Sequence, residues 1–292
     1  KNKLSLFAVP YVGWMSIFVV APIIIMVVYA FSTAAGDFTL ENFARMGTYT
    51  AVFTRSFKLA IIATLIALLI GYPVSYMLSK EGPQVQRIAM VLIMLPMWMN
   101  FLLRTSSWMS ILENNGLLNQ LFQQIGLIDL YNQIAMHFAS DPAAYVPIDH
   151  FQMIGTQGAV VLGMVYNYLP FMILPIYSVL VKLDHSLIEA ARDLGASSVQ
   201  VFRKVILPLS LPGVLSGITM VFVPSVSTFA ISRLLGGGTQ MMLGDLIEQQ
   251  FLGGAYNPQL GAAIALVMMA IVVVCMLVMN RFGEGEEQAV KL

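Results

Sequence analysis

The sequence predicts an all-α integral membrane protein: one transmembrane domain of six helices, with both termini on the cytoplasmic side. Three observations lead there. Of 292 residues, 58% are hydrophobic and 10% are charged, against roughly 25% charged in an ordinary soluble domain. Six uncharged runs approach or exceed the ~20 residues needed to cross a hydrocarbon core. Lys and Arg are spread unevenly over the connections between those runs. The composition also excludes other classes. A disordered chain is polar and charge-rich, and a nucleic-acid binder carries a cationic surplus. Here 15 Lys+Arg balance 15 Asp+Glu, too few charges to clothe a soluble globule of this length. The single cysteine, Cys275, excludes an intrachain disulfide framework and a cysteine-based metal cluster.

The first span, about 7–31, lies in the 33 uncharged residues between Lys3 and Asp37. It is too long, and too poor in a small-residue cleavage site, for a signal peptide. The missing initiator Met implies that one or more residues precede Lys1. The second span, 59–79, fills the 21 residues between Lys58 and Lys80. The third, 87–111, starts in the 16 uncharged residues between Arg87 and Arg104 and stays apolar as far as Leu112. The fourth, fifth and sixth, 157–181, 209–232 and 259–281, lie in runs of 31, 28 and 32 residues. The runs are continuous and not alternating, which favours helices over a barrel.

Ten cations fall on one side: Lys1, Lys3, Lys80, Arg87, Lys182, Arg192, Arg203, Lys204, Arg281 and Lys291. Five fall on the other: Arg45, Arg55, Lys58, Arg104 and Arg233. The richer side is cytoplasmic. The longest connection, 113–156, is then external, and the amphipathic stretch 117–125 reads as a helix lying on the membrane. Pro22, Pro73, Pro96, Pro170, Pro175, Pro212 and Pro224 lie in or beside spans. They are either prolines tolerated in lipid or the bends of helices around a gated path.

Gly236-Gly237-Gly238 lacks the Lys-Ser/Thr of a phosphate cradle, and His137, His150 and His185 do not have metal-ligand spacing. No Asp or Glu lies inside a span, which counts against proton-driven transport, and no catalytic pair for an intramembrane enzyme stands out. Energy for uphill movement would enter from another polypeptide. A channel or secondary carrier remains the alternative, distinguished by whether transport needs ATP.

The cytoplasmic connection 182–204 holds seven charges in 23 residues. Ser186 to Glu189 fits a capping box, followed by an apolar stripe of Leu187, Ile188, Ala191 and Leu194. Gly195 ends that helix. Ser197 to Gln200 offers a second capping box, Val199, Phe202 and Ile206 a second stripe, and Pro208 is expected to close it. A helix of about ten residues is marginal alone, so its apolar face rests on headgroups or its own bundle, or docks a partner. The small residues Ala190, Ala191 and Gly195 permit close approach.

Glu189-Ala190-Ala191, Gly195 four residues on, and Val205-Ile206-Leu207-Pro208 resemble the EAA loop of type I bacterial ABC importer permeases. Asp193-Leu194-Gly195-Ala196-Ser197 matches the usual form of that loop. Gly71-Tyr72-Pro73, Leu95-Pro96-Met97-Trp98, Leu103-Arg104-Thr105, Gly116-Leu117-Leu118-Asn119, Tyr166 to Phe171, Leu234 to Gly237 and Gly244 to Phe251 resemble the spermidine/putrescine, PotB-type branch. The resemblance covers about 10–280. It implies a MetI-like bundle in the bacterial inner membrane, in contact with lipid and paired with a second homologous permease. Two copies of a cytoplasmic ABC ATPase would carry the ATP and Mg, with no cofactor on this chain, and an extracytoplasmic substrate-binding protein would deliver solute. It assigns 182–207 as the coupling loop, with Ser186, Glu189, Ala190, Ala191, Arg192, Asp193 and Gly195 facing the ATPase.

For the solute path the residues offer aromatic faces at Trp98, Trp108, Tyr166 and Tyr168, each cation–π contact contributing about 0.5–2 kcal/mol. Asn100, Asn167, Ser225, Ser227 and Thr228 offer polar groups in or near spans. Belt aromatics and polar helix–helix contacts are the alternative roles. Externally, Glu113, Asp129, Asp141 and Asp149 face only Arg104, which suits a cation. One departure is Arg233, where polyamine permeases commonly carry an acidic residue. An arginine at an external mouth repels a polycation unless a carboxylate neutralises it. The resemblance therefore also admits another small solute.

Overall fold

A computed structural model describes residues 10–138 and 145–287. Lys1, Lys3, Asp141, Lys291 and the first residues of the expected first span lie outside the described residues. Helix α1, Pro10–Ala30, carries a π-turn at Ser16–Val20 just before Pro22. The widened turn eases the clash a proline ring makes with the preceding turn. Helix α2, Glu41–Ser79, reaches well beyond the expected 59–79. Lys58 bounds the uncharged run, but Arg45, Arg55 and Lys58 all lie on helix that extends past the apolar segment.

The third span differs most from expectation. It is not one helix over 87–111. Helix α3, Pro83–Met94, runs into a 3-10 turn at Leu95–Trp98, and helix α4, Phe101–Leu112, departs after a bend of 91°. Two residues make the break. Pro96 sits in the 3-10 turn and has no N–H to continue an α-helix. Asn100 takes an extended ψ of 128° and its Oδ1 accepts from the amides of Leu102 at 2.9 Å and Leu103 at 3.2 Å. That is an N-cap, which starts a new helix instead of prolonging the old one.

The external connection holds the expected amphipathic helix, α5, Leu117–Gln124, and a further one, α6, Leu127–Phe138. Gly126, at φ +71°, turns the chain between them. Helix α7, Gln157–Leu180, is the central span. Helix α8, His185–Asp193, lies in the cytoplasmic loop, and α9, Ser198–Ser227, rises from it. Helices α10, Ala230–Leu235, and α11, Leu243–Leu252, form the last external connection, and α12, Pro258–Glu287, is the final span.

Helices α2, α7 and α9 pack against one another as the core, while α1 rests on α12 at the edge. Glycine sets the closest approaches. A Cβ at Gly213 would lie 2.8 Å from the Pro175 carbonyl oxygen, and one at Gly217 would lie 2.8 Å from the Met172 sulfur. Such small residues let backbones meet where lipid gives no hydrophobic drive for association. Polar ties reinforce the contact: Ser75 donates to the Gly71 and Ile173 carbonyls, and the Tyr72 and Ser210 hydroxyls lie 2.8 Å apart.

The connections gather at two ends, as alternating spans require. At the external end Gly155 N donates to the Leu235 carbonyl at 2.9 Å, and Arg55 reaches the Thr239 carbonyl at 3.3 Å. At the cytoplasmic end the Tyr177 hydroxyl donates to Gln86 Oε1 at 3.0 Å.

Candidate functional site

The break in the third span gathers several of the expected path residues around one cation. Arg104, one turn into α4, is 7% exposed. Its Nε donates to Asn167 Oδ1 at 2.8 Å, and its Nη1 donates to the Pro96 carbonyl, which faces the break. Its guanidinium carbon lies 5.7 Å from the Tyr166 ring centroid, and that ring meets Trp108 edge-on at 5.3 Å. Trp108, Tyr166 and Asn167 thus come together. Arg104, placed by the sequence within the third span and counted among the external charges, is buried and bonded, not free to face the outside. It bolts the two halves of the broken span to α7. Its position four residues after the cap at Asn100, inside an apolar stretch, is the signal that could have shown this, since intramembrane charges are costly and are kept for a purpose.

The remaining path candidates are placed otherwise. Trp98 stands at the lip of the break, 77% exposed. Asn100 uses its carboxamide oxygen to cap α4. Glu113 ends α4, and its carbonyl accepts from Gly116 N and Asn119 Nδ2. With Asn114, Asn115 and Gln152 it lines an external cleft of about 410 Å³. Ser225 is buried and donates to its own helix at the Val221 carbonyl, 2.6 Å away. Thr228 is buried where α9 ends in extended backbone. There the first turn of α11 presses in, and a Cβ at Gly244 would lie 2.4 Å from the Ser227 carbonyl oxygen.

Two carboxylates in the last external connection escaped the sequence reading. Glu248 Oε2 lies 2.7 Å from Arg233 Nη2. This is the neutralising carboxylate that an external arginine requires. One helical turn earlier in α11, Asp245 is buried, accepting from Ser232 Oγ at 2.5 Å and Met242 N at 3.0 Å. Burial pushes its carboxyl pKa up, against the opposing pull of the Ser232 and Met242 bonds and of Arg233.

In the cytoplasmic loop, α8 begins earlier than the capping box at Ser186 implied. Asp184 is the N-cap, and its Oδ1 accepts from Ser186 N at 2.9 Å. An aspartate two residues upstream offers an ionised acceptor to the helix N-terminus, a better cap than a serine hydroxyl. The C-terminus closes as a Schellman motif: Ala196 N donates to the Ala191 carbonyl at 3.1 Å and Gly195 N to the Arg192 carbonyl at 2.8 Å. Gly195 has φ +80°. Ile188 and Ala191 turn inward, against the cluster that holds Leu180, Val201 and Ile206. Ser186, Leu187, Glu189, Ala190, Arg192 and Asp193 are exposed.

The second capping box is present, with Ser197 N donating to Gln200 Oε1 at 2.8 Å and Gln200 N to Ser197 Oγ at 3.4 Å. Pro208 does not close the helix that follows. A π-turn at Phe202–Ile206 carries the chain through it, and Leu207 N donates to the Phe202 carbonyl five residues back. Pro208 lies inside the continuous helix, two residues after the π-turn, whose widened backbone accommodates the ring and the missing N–H.

Residues 64–285 match the family described as binding-protein-dependent transport system inner membrane component, and the chain belongs to that family. It is a membrane-spanning permease subunit of an ABC importer, a multi-pass protein of the bacterial inner membrane, and not itself an enzyme. It is 34% identical to the spermidine/putrescine transport system permease protein PotB of Escherichia coli (strain K12), over 97% of this chain and 99% of that one. Identity to PotB of Haemophilus influenzae is also 34%, over 94% and 93%. Among solved structures, the fold resembles a bacterial ABC transporter involved in import of the acidic polysaccharide alginate, with a TM-score of 0.72 at 17% identity over 96% of this chain and 94% of that one. It also resembles the MetNI methionine ABC transporter, with a TM-score of 0.54 at 19% identity over 85% and 98%.

Proposed function

We propose that the chain is one permease of a spermidine/putrescine importer and forms half of its translocation path. The observation that carries this reading is the 34% identity to PotB over nearly the whole of both chains. The Arg233–Glu248 pair supports it, because it removes the objection that a lone external arginine raises against a polycation. The single transmembrane domain pairs with a second homologous permease. Two copies of a cytoplasmic ATPase bind ATP and Mg and dock on the exposed face of α8 through Ser186, Glu189, Ala190 and Asp193, while Arg192, one turn after the inward-facing Ile188, lines a cavity at the edge of that face. Ala191 and Gly195 hold that face in place. An extracytoplasmic binding protein delivers the solute.

Nucleotide binding closes the ATPase pair, α8 follows, and the bundle rocks between inward- and outward-facing states. On the path, Trp98 offers an open aromatic face to an amine, and Trp108, Tyr166 and Asn167 shape the wall behind it. Asn100, Glu113, Ser225 and Thr228 border the path through the groups they hold in place. Weak contacts suit a conduit, which must release what it passes, so selectivity rests mainly with the binding protein.

The test is reconstitution of the chain with its copurifying subunits in liposomes. Spermidine or putrescine with the binding protein is expected to stimulate ATP hydrolysis and be taken up. Stimulation by another solute with none by polyamines overturns the substrate; uptake that follows an ion gradient without ATP overturns the coupling.

A further inference from the structure

At the cytoplasmic end a cavity of about 330 Å³ opens between the ends of α2 and α7 and the inner faces of α8 and α9. Its charged lining residues are Lys80 and Arg192, both cationic, and Ser79 and Ser198 add hydroxyls. The carboxylates of the same loop, Asp184, Glu189 and Asp193, do not line it, nor does Glu81 beside Lys80. Neither cation forms an ion pair among the described residues. Lys80 Nζ rests 3.8 Å from the Tyr76 ring centroid, which holds the ammonium at the end of α2. The rest of the wall is aliphatic, Leu183 and Ile188 among it.

We propose that this cavity binds the headgroup of an anionic phospholipid of the cytoplasmic leaflet. Three features select that ligand. Two cations without a carboxylate partner and the Ser198 hydroxyl suit a phosphate, the Ser79 hydroxyl being already donated to the Tyr76 carbonyl. The aliphatic wall suits the glycerol and first methylenes attached to it, and a free anion has no use for it. Lys80 follows directly on the last helical residue of the second span, at the depth of the headgroups, where basic pockets between helices meet anionic lipid. The volume is that of about ten waters, enough for a phosphate and glycerol. The lipid would sit behind α8 and stiffen its contact with the bundle. This site is independent of which solute the importer carries.

The experiment uses the purified complex in nanodiscs, with retained lipid counted by native mass spectrometry. Phosphatidylglycerol is expected to be retained in preference to phosphatidylcholine. Lys80→Gln and Arg192→Gln are each expected to weaken retention about fivefold, and Lys80→Arg to preserve it. Equal retention by the native complex and the Lys80→Gln/Arg192→Gln double variant overturns the proposal. Displacement of the lipid by inorganic phosphate also overturns it, in favour of a soluble-anion site. Shielding of both cations by the ATPase subunit, with no lipid bound, overturns it in favour of a protein contact.

Discussion

Arg104 Nε and Asn167 Oδ1, 2.8 Å apart, join a helix that begins after a break to the central span of the bundle. The same guanidinium holds the Pro96 carbonyl on the other side of the break. Arg104→Gln leaves those acceptors short of donors, at about 1–3 kcal/mol each where they are buried. Arg104→Lys does not rescue, because an ammonium lacks the planar fork that spans both. Thermal unfolding in detergent reads the loss. A double-mutant cycle with Asn167→Leu should show coupling; additive losses would mean the bond contributes nothing of its own.

The cap of α8 gives a test with two arms. Asp184→Ala should destabilise the helix by about 0.5–2 kcal/mol, whereas Ser186→Ala, whose side chain does not cap the helix, should change little. Hydrogen exchange of the amides at 186–189 measures both. The reverse order of effects would restore the later helix start that the sequence suggested.

Gly195 has open space where a Cβ would go, so substitution there acts through backbone alone. At φ +80° alanine is strained by about 1–2 kcal/mol. Proline is excluded by its fixed φ and also removes the donor to the Arg192 carbonyl. Gly195→Pro should insert in the membrane normally, yet lose solute-stimulated ATP hydrolysis in the assembled transporter. Wild-type stimulation in that variant would sink the coupling role of α8.

Asp245 supplies a pH dependence. Burial raises its pKa above the ordinary 3.8, so the folded protein holds this proton more tightly than the unfolded chain does. The stability this provides is complete below 3.8 and is lost as pH rises through the folded-state value. Asp245→Asn can keep an acceptor for Ser232 and Met242 without the charge. The native protein should therefore lose thermal stability relative to that variant as pH rises from about 4. A native protein that gains on the variant over the same range would contradict the burial argument.

How much of this was legible in the sequence varied with how local the cause was. The spans could be read because one-dimensional hydropathy reports lipid burial directly, and Gly195 and the Ser197–Gln200 box because capping is settled within a few residues. The 91° break was not read, because Pro96 and Asn100 each have a bland use in a straight span. What fixes the break is Arg104 reaching Asn167, 63 residues on. The Glu248 that answers Arg233 was missed for a similar reason: the pair lies 15 residues apart, across a turn. After the cytoplasmic loop, the passage of the helix through Pro208 was not legible, because a π-turn, which widens the helix enough to admit proline, leaves little trace in residue pattern.

The continuity of α9 through its π-turn has a mechanical consequence. Thirty residues at 1.5 Å each make a lever about 45 Å long, with one end in the cytoplasmic loop. The other ends at Thr228, against Gly244. A tilt of about 5° at the cytoplasmic end sweeps the far end through about 4 Å. Because the packing at Gly244 leaves no room for even a methyl group, a sweep toward α11 has no gap to close and pushes that helix ahead of it. A small rotation at the cytoplasmic end would thereby become a displacement at the opposite face of the membrane, with no signal relayed through side chains.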